Sequence, residues 1–258
     1  NKTNSKADWY VWADPKPDGS PPNNWLAVFG GAAWTYEPQR GQYFLHNFLP
    51  EQPDFNWYNP ALREALADVV RFWMKSGADG FRLDTANYYA YDQQLRDNPK
   101  RPGNSELIED GQEANPLSQY ITKYSKDRPE NLEFIHYLRK IFDESGAVSI
   151  GEIGSAEGLE STLKLGTDYV KKGKGLHLAY TFSMLNKNMS AEYLEHVLRV
   201  TEESIEDGWP CWSLSNHDCM RMISRFDCFG ERAGFQQMML LLLLSLRGTP
   251  IIYYGEEV

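Results

Sequence analysis

From residue 59 to its end the chain alternates stretches of helical and strand character, and this alternation constrains the fold more than any other feature. Asn59 is a good helix N-cap and Pro60 suits the first helical position. Leu62, Leu66, Val69, Val70 and Trp73 then recur at helical spacing, and Gly77 supplies the stop. A strand is predicted immediately afterwards, over 79–84. Further helices are predicted over 131–144, 159–165, 191–205 and 231–246, and strands over 147–152, 176–182, 210–215 and 250–254. Five short apolar strands, each behind a helix, call for a parallel sheet covered on both faces. The apolar run over 238–244 predicts a helix buried on most sides and is far too short to cross a membrane.

Two regions break the rhythm. Residues 1–58 carry no sustained period and many aromatics, among them Trp9, Tyr10, Trp12, Trp25, Phe29, Trp34, Tyr43, Phe44 and Phe48. An irregular segment of that length is more often functional than idle, and the alternative is a small satellite core under a long loop. Residues 87–130 form a polar insertion placed directly after a strand, on the side where β/α barrels carry their active-site loops. The net charge of −10 leaves no basic stripe for phosphates and so argues against nucleic acid. Cys211, Cys219 and Cys228 are odd in number and show no CxxC spacing, which disfavours both a disulfide scaffold and a zinc site. Reduced thiols in a cytoplasmic setting are the simplest account.

Acidic residues recur where the strands end. The sequence Gly80-Phe81-Arg82-Leu83-Asp84-Thr85 puts an arginine and a carboxylate two positions apart, hence on one face of a strand, with Phe81 and Leu83 on the other. A buried carboxylate beside a permanent cation stays ionised, as a nucleophile requires, and a purely structural ion pair would look the same. Gly151-Glu152, Asn216-His217-Asp218 and Gly255-Glu256-Glu257 close three other strands. Each could cap the helix that follows. Together they point to a shared carboxylate-lined pocket. Two facing carboxylates, one ionised and one protonated, are what glycoside cleavage needs. Arg82 suits Asp84 to the first role. Glu152 has no cation nearby in sequence and follows a glycine that permits close approach, so it suits the second.

Those four stretches resemble, in order, four motifs of the α-amylase family, glycoside hydrolase family 13. Gln52-Pro53-Asp54-Phe55-Asn56 resembles the extra motif of its oligo-1,6-glucosidase and α-glucosidase branch. Residues 21–25 and 29–34 resemble that branch's protruding loop domain, and Gln94-Leu95-Arg96-Asp97-Asn98-Pro99 is similar to bacterial exo-acting α-glucosidases. The resemblance implies an α/β fold, a (β/α)8 barrel of which strands four to eight are present. A loop-rich domain B would cover 1–58 and barrel 59–258. It implies Asp84 as nucleophile, Glu152 as acid/base and Asp218 as stabiliser of the transition state, with Arg82 and His217 as subsite partners. Phe29, Phe48 and Gln52 fall where this branch lines the substrate entrance. Thr85, after the nucleophile, accompanies α-1,4 rather than α-1,6 cleavage.

The implied activity is retaining hydrolysis of terminal α-1,4-linked glucose from maltose-like oligosaccharides or α-glucosides. An oligo-1,6-glucosidase or a sucrose- or maltose-type isomerase would share the same carboxylates. A non-catalytic transporter-subunit relative would lack them and carry a membrane anchor. The partner is a small sugar, with neither nucleic acid nor membrane expected. The family's first motif, at the end of barrel strand three, is absent, and its calcium loop would lie upstream, so no cofactor is expected in this segment. The chain thus reads as an internal stretch of the catalytic barrel, expected not to hydrolyse maltose by itself.

Overall fold

A computed structural model describes residues 2–102, 116–155, 158–171, 173–185, 189–205, 208–226 and 231–258. Cys228 and the middle of the 87–130 insertion lie outside these. The chain divides into two compact units, Asn1–Asp79 with Asn87–Ala147, and Gly80–Ala86 with Val148–Val258.

The first unit holds a three-stranded antiparallel sheet of β1 (Trp12–Ala13), β2 (Trp34–Glu37) and β3 (Gln42–Leu45), in the order β1-β3-β2. The hairpin β2–β3 turns through Pro38-Gln39-Arg40-Gly41, with the Gly41 amide donating to the Glu37 carbonyl at 2.8 Å and Gly41 at φ +66°. Val11, Ala13, Trp25, Ala27, Ala33, Trp34 and Leu45 form its core. Part of the aromatic wealth of 1–58 is therefore packing, not platform: Trp25 and Trp34 are 1% and 3% exposed.

The insertion is stitched to the same core. Asn24 and Asn98 exchange amide hydrogen bonds, Asn98 N to Asn24 Oδ1 at 2.7 Å and Asn24 Nδ2 to the Asn98 carbonyl at 2.9 Å. The Trp25 indole donates to the Arg96 carbonyl at 2.9 Å. Residues 52–56 run back along the start of the chain, with Tyr10 bridging Phe55 and the Asn56 amide donating to the Trp9 carbonyl at 2.8 Å. Helices α1 (Pro60–Lys75) and α2 (Asn131–Glu144) complete the unit. The Asn59 side chain caps α1 by accepting from the amides of Ala61 and Leu62, and Gly77 follows at φ +101°, as the sequence predicts. The predicted apolar stripe of α1 is only partly covered, since Val69 and Trp73 stand more than half exposed and only Leu62 and Ala67 are buried.

The second unit contains the five parallel strands that the alternation calls for, in the order β4-β5-β6-β7-β8. They are β4 (Gly80–Leu83), β5 (Val148–Ile153), β6 (Leu178–Thr181), β7 (Cys211–Ser213) and β8 (Thr249–Ile251). Most are two or three residues shorter than predicted. Helices α3 (Leu159–Tyr169) and α4 (Ala191–Ser204) are joined by a one-turn α5 (Met222–Arg225), unforeseen from sequence, and α6 (Arg232–Ser245). The core gathers Leu163, Met184, Val197, Trp212, Leu214, Met222, Met239 and Leu243.

Two expectations fail here. Helix α6 buries only Met239 and Leu243, whereas Met238, Leu241 and Leu244 are 56%, 70% and 60% exposed, because no described element covers that face. The sheet is not covered throughout either. Its edge strand β4 alternates exposed and half-buried residues, having a strand neighbour on one side only. Among the described residues no helix is long and apolar enough to cross a membrane.

Candidate active site

The register of three neighbouring strands brings two of the three predicted catalytic residues, Asp84 and Glu152, to one face. Arg82 pairs with Ile150 and Leu83 with Gly151, so Asp84, one residue past β4, comes level with Glu152. Glu152 in turn pairs with Tyr180 on β6. Side chains alternate along a strand, so Arg82, Asp84, Glu152 and Tyr180 point to the same side. Gly151 makes the approach possible. A Cβ there would collide with the Leu176 side chain and stand 3.5 Å from the Ala86 Cβ. The Ala86 amide donates to the Glu152 carbonyl at 3.1 Å, fastening the turn after Asp84 to β5.

Arg82 is the centre of the arrangement. Its Nη1 pairs with Asp84 Oδ1 and its Nη2 with Glu152 Oε2. The same Nη2 donates to the Tyr180 hydroxyl at 3.0 Å, and that hydroxyl lies 3.2 Å from Glu152 Oε2. One guanidinium therefore bridges both carboxylates. Glu152 has no cation nearby in sequence, as expected, yet it has one in space. Its partner is 70 residues away in sequence and becomes a neighbour only through the parallel register. The expectation that Asp84 is buried is corrected. Its side chain is 72% exposed, against 8% for Glu152, because Asp84 follows the edge strand whereas β5 has a strand on each side.

Beyond β7, the Asn216 side-chain carbonyl accepts the amides of Asp218 and Cys219, each at 3.0 Å, forming a tight turn that displays His217 and Asp218. Those two side chains are exposed and 3.3 Å apart, His217 Nε2 to Asp218 Oδ2. Both Asp218, past β7, and Asp84, past β4, act electrostatically on the Tyr180 hydroxyl of β6. Burial, the largest cause, pushes the Tyr180 hydroxyl above the ordinary phenol range, Arg82 and Asn216 oppose it, and Asp218 and Asp84 add to it. Thr85 has φ +40°, a left-handed backbone that β-branched residues adopt only under constraint.

Phe29, Phe48 and Gln52, the residues expected at the substrate entrance, belong to the first unit. Phe29, 68% exposed, packs on Phe48 with ring centroids 5.9 Å apart, and Phe48 packs on Tyr88 at 5.3 Å. Gln52 is exposed and accepts from the Leu49 amide at 3.4 Å. Among the described residues, no three His, Cys, Asp or Glu side chains are placed to hold a metal ion.

Tyr180 is the participant that sequence reasoning misses, and Asn216, though part of a strand-end motif, carries no role there. Tyr180 stands in mid-strand and reads as a core aromatic. Its alignment with Glu152 is visible only once strands are paired.

The chain matches the family described as alpha amylase, catalytic domain, over residues 1–258. It is 45% identical to a probable alpha-glucosidase of Rhizobium meliloti (strain 1021), covering 100% of this chain and 47% of that protein. An oligo-1,6-glucosidase of Heyndrickxia coagulans is 32% identical, again over 100% of this chain and 46% of its own length. The crystal structure of the alpha-glucosyl transfer enzyme XgtA superposes with a TM-score of 0.92 at 44% identity, covering 99% of this chain and 47% of that one. The chain thus spans about half the length of the curated relatives it matches, and its parallel sheet is the corresponding part of their barrel. The chain belongs to the α-amylase family, glycoside hydrolase family 13.

Proposed function

We propose that the protein containing this chain is a retaining exo-α-glucosidase acting on terminal α-1,4-linked glucose in maltose-like oligosaccharides and α-glucosides. Asp84 attacks the anomeric carbon while Glu152 gives its proton to the leaving oxygen. Water, deprotonated by Glu152, then displaces Asp84 and releases glucose with its original configuration. Asp218 and His217 hold ring hydroxyls of the sugar, and Arg82 orients Asp84 by pairing with its Oδ1. Thr85 contacts the bound glucose beside the nucleophile and biases cleavage towards α-1,4 linkages. Phe29, Phe48 and Gln52 are further substrate contacts in this reading. A reducing, cytoplasmic setting is part of this reading, and Cys211 and Cys219 form no disulfide among the described residues.

The observation that carries this reading is the shared guanidinium. Arg82 holds two carboxylates from adjacent strands against one face, which a lone structural ion pair would not require. The test is proton NMR of the first-formed product from maltose. Retention gives α-glucose before mutarotation, and initial β-glucose would overturn the proposal.

A second reading, transfer in place of hydrolysis, is favoured by the likeness to an alpha-glucosyl transfer enzyme at 44% identity. The two share every residue role named above. Chromatography of products formed with an added alcohol acceptor separates them.

A further inference from the structure

Tyr180 is 5% exposed, and a buried phenol needs partners for its hydroxyl. Here the partners determine the direction of each bond. Arginine can only donate, so the 3.0 Å contact with Arg82 Nη2 is one that the Tyr180 oxygen accepts. The hydroxyl hydrogen is then free for Glu152 Oε2, 3.2 Å away, which is itself held by Arg82 Nη2. The result is a closed triangle of Arg82, Tyr180 and Glu152. A core tyrosine with a merely structural role would satisfy its hydroxyl on backbone or water. This one is spent on the carboxylate that must move a proton.

We infer that Tyr180 is a positioning residue for the acid/base carboxylate, fixing the rotamer of Glu152 by donating to Oε2 while Arg82 holds the phenol oxygen from the other side. This inference rests on the reading of Glu152 as acid/base. The hydroxyl lies above the ordinary phenol range, chiefly through burial, so it stays protonated and able to donate wherever such an enzyme works. The charged and polar groups acting on it are Arg82 and Asp84 from the β4 end and Asn216 and Asp218 from the turn after β7. Removing the hydroxyl leaves the ring in place and leaves Glu152 Oε2 held by Arg82 alone. It also removes one donor from the ionised form of that carboxyl.

The test is Tyr180→Phe in the full-length protein, assayed with maltose and with 2,4-dinitrophenyl α-glucoside. The second substrate has a leaving group that departs without protonation. Tyr180→Phe is expected to lower kcat/KM for maltose on the order of tenfold more than for the activated glucoside, within the range that general acid catalysis supplies. The ratio of the two substrates is measured on one preparation and is independent of how much of the variant folds. Glu152→Gln serves as the reference, with an expected larger change in the same ratio. If Glu152→Gln changes the ratio and Tyr180→Phe does not, the positioning role is wrong and the acid/base reading stands. If neither changes it, both are wrong.

Discussion

The antiparallel sheet β1–β3 is built on large side chains, with Trp25, Trp34 and Leu45 at 1–3% exposure around its strands. The parallel sheet β4–β8 owes its site to small residues and alignment instead. Gly151 lets neighbours approach, and register alone sets Arg82, Glu152 and Tyr180 side by side. At the edges of this second sheet polar and apolar groups stand open, Asp84 past β4 and Tyr254 past β8 each at 72%. Loss of a large core group in the first unit is felt as stability, whereas loss of a strand-end group in the second is felt as chemistry.

Glu152→Gln should show the largest effect, a fall in kcat for maltose of about 10²–10⁴, equivalent to roughly 3–5 kcal/mol of barrier. Urea unfolding of the same variant should shift little. An equal loss of stability would break the contrast between the two sheets.

Trp25→Ala is the reverse experiment. It empties a core position and strips the Arg96 carbonyl of its indole donor, at an expected cost of about 3–5 kcal/mol in urea unfolding. The variant should keep its retention of configuration.

Asp54 sharpens the contrast further. Burial pushes its carboxyl up to about 7, against two hydrogen bonds from Asn47, one from the backbone at 2.7 Å and one from the side chain at 2.9 Å. Between its ordinary value of 3.8 and about 7 the folded chain therefore holds a proton that the unfolded chain has lost. Stability from this group is complete below about pH 4 and declines as pH rises towards 7, by up to about 4 kcal/mol for three pKa units. Asp54→Asn keeps an acceptor for Asn47 and should flatten that decline in melting curves recorded from pH 4 to 8.

The smallest effect is expected at Thr85. An asparagine tolerates the left-handed backbone, so Thr85→Asn should raise stability by about 1 kcal/mol in urea unfolding.

The same contrast explains how much was legible in the sequence. All five parallel strands were, because each follows a helix with its own signals, such as Asn59, Pro60 and Gly77 around α1. Strands β2 and β3 were not, although Trp34-Thr35-Tyr36-Glu37 and Gln42-Tyr43-Phe44-Leu45 flank a turn ending in Gly41. Each run is only four residues long, too short for its period to stand out among turn residues and aromatics. At the site, Arg82 and Asp84 were visible as a local pair, since an i, i+2 relation needs only strand periodicity. The second bond of Arg82, to Glu152, and the place of Tyr180 depend on how three strands are aligned. Local sequence carries no record of that alignment. The open face of α6 was missed for a similar reason: an apolar run is the same in sequence whether or not another element covers it.

The central claim is that Asp84 carries the sugar. Incubating the full-length protein with 5-fluoro-α-glucosyl fluoride, whose glycosyl-enzyme turns over slowly, and digesting it for mass spectrometry tests that claim directly. The expected result is one added fluoroglucosyl group, on the peptide containing Asp84, and none in Asp84→Asn. A label on Glu152 or Asp218, or turnover of this substrate with no covalent adduct, would contradict it.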